Sequence, residues 1–131
     1  MKKNGILNSE ISKVLSYMGH TDEICIGDCG LPIPENVKRI DLSLEVGNPK
    51  FMDVLKVVSR DMKIEKIILA IEIKEHNKKV LEEIKELLKD VTIEFITHEN
   101  FKERTKNSKC VIRTGEATPY ANIILSSGVI F

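Results

Sequence analysis

The sequence predicts an α/β fold: a three-layer sandwich with a mostly parallel central sheet and helices on both faces. Apolar residues alternate along the chain between strand-like and helical spacing. "KIILAI", residues 66–71, is a continuous apolar run of the kind found in a strand covered on both faces. Strand-like segments are separated by helical ones, the connection that parallel strands require. At 131 residues and 42% hydrophobic content, one core is enough, so a single domain spanning 1–131 is expected.

Each element follows from a local pattern. Ile11, Val14, Leu15 and Met18 recur at helical spacing after the capping candidates Asn8 and Ser9, and Gly19 can end that helix. "EICIG" reads as a short buried strand, and "CGLPIPEN", with two prolines, as a loop. "KRIDLSL", residues 38–44, alternates as a second strand. The turn "EVGNP" then leads to Phe51, Val54, Leu55 and Val58, again helical in period. After "KIILAI", a charged amphipathic helix carries Val80, Leu81, Ile84, Leu87 and Leu88 on its inner stripe. "VTIEFIT" is the next strand, a short helix starts near Glu99, and "KCVIR" and "ANIIL" complete the sheet.

Charge and composition narrow the function. Lys plus Arg and Asp plus Glu number 20 each, giving zero net charge, so no overall field draws nucleic acid or anionic membrane. Near-neutrality is compatible with a defined oligomer. Cys25, Cys29 and Cys110 are odd in number and lack the spacing of a disulfide framework or zinc site, which fits a reducing cytoplasm. Lys2 and Lys3 precede a polar segment, not the apolar run of a secretory signal. No stretch approaches the roughly 20 apolar residues needed to cross a bilayer. A soluble cytoplasmic protein is expected.

Ligands of parallel α/β sheets gather where strands end. Asp28 follows the first strand and His98 follows "VTIEFIT", so parallel strands place both on one edge. His20 precedes the first strand and starts near the opposite edge, roughly 17 Å away for five residues at ~3.3 Å each. Either the chain bends back, or His20 serves a site completed by another subunit. Structural roles stand beside these: His20 favouring a helix dipole, Asp28 forming a turn, His98 capping a helix or standing in its first turn. His76 reads as a solvated surface residue and Cys110 as a buried small hydrophobe. Gly27 and Gly30 form no dinucleotide fingerprint, and no cluster has metal-site spacing, so neither cofactor nor metal is expected. "VIRTGEATPYAN" adds Arg113, Thr114, Glu116, Tyr120 and Asn122. Such an inventory of proton donors, acceptors and amides suits a neutral, hydroxylated ligand.

Taken in order, "KKNGILN", "GHTD", "GDCGLPIP", "IDLSL", "THENF" and "VIRTGEATPYANIIL" closely resemble the D-ribose pyranases, a family related to the fucose mutarotases. The resemblance extends along the whole chain. It implies an α/β sandwich assembled into a ring-shaped homodecamer, with D-ribose as the small-molecule partner. It further implies that His20 is the proton donor and that Asp28, His98, Tyr120, Ala121 and Asn122 bind the sugar, Ala121 through its backbone. Cys29 stands where the family more usually has alanine. The implied reaction is interconversion of the pyranose and furanose forms of ribose through the open aldehyde, for which an imidazole has both protonation states available near neutral pH. A non-catalytic sugar-binding or ribose-transport accessory module, an interaction subunit needing neither His20 nor Asp28, an L-fucose mutarotase, and a hydrolase using Cys110 and His98 are the alternatives.

Overall fold

Four of the five α-helices start at an identifiable side-chain acceptor, and only the four-residue one, Ile73–His76, has none. The computed structural model describes residues 1–131. Helix α1, Ser9–Tyr17, begins where the Asn8 side chain accepts from Ile11 N at 3.0 Å, and it buries Ile11 and Val14. It stops at Met18, whose backbone is extended, so Gly19 is not its left-handed terminator. That conformation falls instead on Thr21, at φ 69°. Strands β1, Glu23–Gly27, and β2, Lys38–Asp41, follow. Helix α2, Phe51–Asp61, has no side-chain cap from its own Lys50. Its N-terminus is satisfied across the fold, where Phe51 N donates to Glu116 Oε2 at 3.2 Å.

The second half contains β3, Ile64–Ala70; the single turn α3, Ile73–His76; α4, Lys78–Leu87; and β4, Thr92–Ile96. Then come α5, His98–Arg104; a 3-10 turn, Thr105–Asn107; β5, Cys110–Arg113; and β6, Ile123–Ser127. Two elements differ from the sequence expectation. The second strand ends at Asp41, because the Asp41 carboxylate accepts from Ser43 N at 3.0 Å and closes a local turn before Leu44. The charged helix after residue 71 is broken at Asn77, which leaves helical geometry (φ −151°, ψ 60°) and re-caps the following helix through Val80 N.

The strands form one six-stranded sheet in the order β2-β5-β1-β6-β3-β4. Strand β6 is antiparallel to both β1 and β3, and every other pairing is parallel. Alternation along the strands sends Ile24, Ile26, Ile67, Leu69, Ile112 and Ile123 into the larger core, shared with Val14, Phe51, Leu55, Val58, Val80 and Ile84 of α1, α2 and α4. Cys25, Ile68, Val111 and Ile124 face the other way, onto Phe101 of α5 and onto Leu31 and Val37 of the proline-bearing loop. The expected layers are therefore present but unequal, the second face being covered by one helix and a loop. No helix is long and apolar enough to cross a membrane.

Beyond β5, the chain passes Gly115, which donates to Pro49 O at 2.8 Å. A Cβ there would collide with Asn48 O, Asn48 N and Glu45 O, all main-chain atoms of the loop before α2. Gly115→Ala is therefore expected to cost about 1–3 kcal/mol of stability. The cost should register as a lower urea midpoint at unchanged slope; a midpoint equal to the parent's would show that this contact is not tight.

Candidate active site

The C-terminal edge of the parallel strands carries a cluster built on the crossing of β1 and β6. Asn122, 1% exposed, stands just before β6. Its Oδ1 accepts from Asp28 N at 2.9 Å, while its Nδ2 donates to Asp28 Oδ2 at 3.0 Å. This reciprocal pair requires Gly27, where a Cβ would lie 2.7 Å from the Leu31 side chain and 3.1 Å from Asn122 Oδ1. Asp28 Oδ1 also accepts from Gly30 N at 3.0 Å, so the turn role and the site role coexist. Burial raises the Asp28 pKa above its ordinary value, against the lowering effects of these hydrogen bonds and of the nearby His98 ring.

Tyr120 adopts φ 57°, a left-handed conformation rare for a bulky residue. Asn122 N donates to Tyr120 O at 2.9 Å, tightening the turn, and the fully buried Ala121 between them anchors it in the core. The Tyr120 ring meets His98 edge to face at 5.1 Å between centroids and His76 at 5.5 Å. His98 opens α5 behind the Thr97 cap, so it is a first-turn residue and not the cap itself. Its backbone N–H donates to both oxygens of Glu72 at 3.0 Å. Its Nδ1 is buried without a hydrogen-bond partner.

Asp28, His98, Tyr120, Ala121 and Asn122 thus come together, and His20 does not join them. The chain does not bend back: His20 is exposed, and its Nε2 lies 3.0 Å from Oε2 of Glu65 near the start of β3. Because β1 and β3 run parallel, His20 stands on the opposite edge of the sheet. The remaining polar residues of "VIRTGEATPYAN" brace loops. Arg113 bonds Cys29 O and Asp41, Thr114 Oγ1 donates to Gly27 O, and Glu116 holds Phe51 N and Thr118. Cys110 is fully buried at the start of β5 with its thiol pushed up to about 12 by desolvation, away from His98, which removes the hydrolase alternative. His76, read from sequence as solvated surface, is exposed but packs on Tyr120. Glu72 and Asn77 carried no sequence signal beyond the capping potential of Asn77. A hollow of about 420 Å³ lined mainly by Ile6, Leu7, Ile11, Val54, Val57 and Val58 is separate from this polar cluster.

An α/β sheet whose strand ends gather a carboxylate, an amide, an imidazole and a phenol defines a binding site for a small polar molecule. The chain belongs to the RbsD / FucU transport protein family, whose profile matches residues 1–130. It is 60% identical over its full length, and the full length of the relative, to a D-ribose pyranase of Bacillus cytotoxicus. A D-ribose pyranase of Bacillus cereus is 58% identical with the same coverage. Among solved structures, Bacillus subtilis RbsD complexed with D-ribose superposes with a TM-score of 0.98 at 51% identity, covering 100% of both chains. The fucose mutarotase of Streptococcus pneumoniae in complex with L-fucose gives 0.79 at 25% identity over 95% of each chain.

The raised pKa of Asp28 has a signed consequence. Between the ordinary carboxylate value and the raised one, the folded state holds a proton that the unfolded chain has released, so stability falls as pH rises through that window. Asp28→Asn cannot titrate. Its stability relative to the parent is expected to improve as pH is raised from the ordinary carboxylate range toward neutrality, measured by urea denaturation at each pH. A difference that stays flat across this range would mean that Asp28 is not desolvated.

Proposed function

We infer that this protein is an isomerase that interconverts the pyranose and furanose forms of D-ribose by acid/base ring opening. The observation that carries the reading is the hydrogen-bonding cluster at the strand ends, in a chain about 60% identical over its whole length to proteins named D-ribose pyranase. In the reaction, a proton reaches the ring oxygen as the anomeric hydroxyl loses one. The bond from the anomeric carbon to the ring oxygen breaks and a carbonyl forms. Attack on that carbonyl by the neighbouring chain hydroxyl closes the smaller ring, and the protons are returned. No group is oxidised or reduced, and both protons stay within the reach of imidazole and carboxylate chemistry.

His20 is the proposed proton donor, and Asp28, His98, Tyr120, Ala121 and Asn122 are the proposed sugar contacts. The buried Asn122 and Asp28 offer fixed hydrogen-bonding groups, and His98 adds an imidazole packed edge to face on Tyr120. Tyr120 adds a phenol and a ring face. With His20 on the opposite edge, the complete site takes its donor from a second copy, head to tail. Heterologous contacts of this kind close into rings, in keeping with a homodecamer. Exposed apolar residues support such docking: Leu44 and Val46 beyond β2, and Ile130 and Phe131 of the tail beyond β6. The unpaired cysteines and the lack of a membrane-crossing helix support a cytoplasmic location.

His20→Ala is expected to slow ribose ring exchange by ~10²–10⁴, the usual worth of acid/base assistance, as read by saturation-transfer NMR. Unchanged exchange would remove His20 from the mechanism. Mixing inactive His20→Ala with inactive Tyr120→Ala should restore activity, because some junctions then combine an intact His20 with an intact Tyr120. Persistent inactivity in verified mixed oligomers would mean that each site is built from one chain.

A further inference from the structure

Tyr120 holds a backbone conformation that a bulky side chain does not adopt on its own, and such strain persists only where the surroundings over-determine it. On its C-terminal side the turn is held by Asn122 N, at 2.9 Å from Tyr120 O. On its N-terminal side the holding group is the Asn77 amide. Asn77 Nδ2 donates to Pro119 O at 2.8 Å and to Thr118 Oγ1 at 2.9 Å, gripping the two residues before Tyr120. Its Oδ1 accepts from Val80 N at 3.4 Å, capping α4. With 9% exposure, this amide has little water to replace a lost partner. The same break in the helix that frees Asn77 also sets His76 against the Tyr120 ring.

We propose that Asn77 is a positioning residue for the sugar site: its two amide donors lock the strained Tyr120 turn so that the ring is presented beside His98. The inference rests on Tyr120 being a sugar contact, and it adds a residue that touches neither sugar nor reacting atoms. Capping and clamping use different atoms of one side chain. Asn77→Asp keeps an oxygen for Val80 N, and a carboxylate is favourable at a helix start. It has no N–H for Pro119 O.

The spectroscopic reporter is already in the chain. There is no tryptophan and only two tyrosines, and Tyr17 is 79% exposed. In a Tyr17→Phe background, tyrosine fluorescence therefore comes from Tyr120 alone. Asn77→Asp in that background is expected to fold with a lowered thermal midpoint, while acrylamide quenching of Tyr120 in the folded protein increases without sugar. The ribose concentration that half-saturates the Tyr120 signal should rise on the order of tenfold or more, as a misplaced contact requires. Unchanged quenching with an unchanged ribose response overturns the clamp. No ribose response in the Tyr17→Phe parent overturns the sugar contact beneath it, a separate failure. If Asn77→Asp does not fold, Thr118→Val at an exposed position removes one of the two acceptors: a smaller shift in the same direction supports the clamp, and none overturns it.

Discussion

The antiparallel insertion of β6 between β1 and β3 is the constraint on which the rest of the molecule depends. Without it, the sheet is two separate parallel pieces, β2-β5-β1 and β3-β4. Its direction matters as much as its position. Entering against the other strands, β6 begins at the edge where they end, so Asn122 arrives beside Asp28. It finishes at the edge where they begin, and there Ser127 O accepts from Thr21 N at 2.9 Å, next to His20. One strand thus ties the sugar-contact cluster at one end to the turn bearing the proposed proton donor at the other. The chemically varied segment sits near the C-terminus because this last strand must first deliver it to the open edge.

Both ends of that strand are flanked by left-handed non-glycine residues, Thr21 and Tyr120. A conformation of this kind places a side chain where a regular turn cannot, and the cost is offset by fixed neighbours. At Thr21 the neighbours are Ser127 O and the short bond from Gly19 N to Asp22 Oδ2, at 2.9 Å. At Tyr120 they are Asn122 and Asn77. The buried amides of Asn122 and Asn77 are strict requirements, since a polar group left unpaired in such a place costs about 1–3 kcal/mol. Positioning therefore pairs a local bond with one from a residue distant in sequence, Ser127 at Thr21 and Asn77 at the Tyr120 turn.

Local pattern made much of the architecture legible. The alternating periods gave the strands and most helices in order, and the Ile-rich run at 66–71 marked a strand buried on both faces at residues 67–70, although β3 begins at Ile64 and the exposed Ile71 lies beyond its end. Errors fell where a side chain reached back to the main chain. Asp41 closed a turn and shortened β2, and Asn77 split one expected helix into two. The placement of Asp28 and His98 on one edge, and of His20 on the other, followed from strand direction alone and agrees with the fold. His76 is exposed, as its helical spacing suggested, while the contact it also makes with the Tyr120 ring is invisible to helical periodicity.

By itself, the sequence determined the element order, the alternation that fills two cores of unequal size, and the residue types available for proton transfer and sugar binding. These depend on near neighbours in the chain, whose spacing is written directly in the residues. The tertiary structure alone decided that β6 runs antiparallel, that Glu116 caps a helix 65 residues away, and that Arg113, Thr114 and Glu116 brace loops while Asn122 faces Asp28. Those outcomes turn on which strands lie side by side. Strand neighbours are selected by the global burial of apolar faces, a quantity no local window of residues contains.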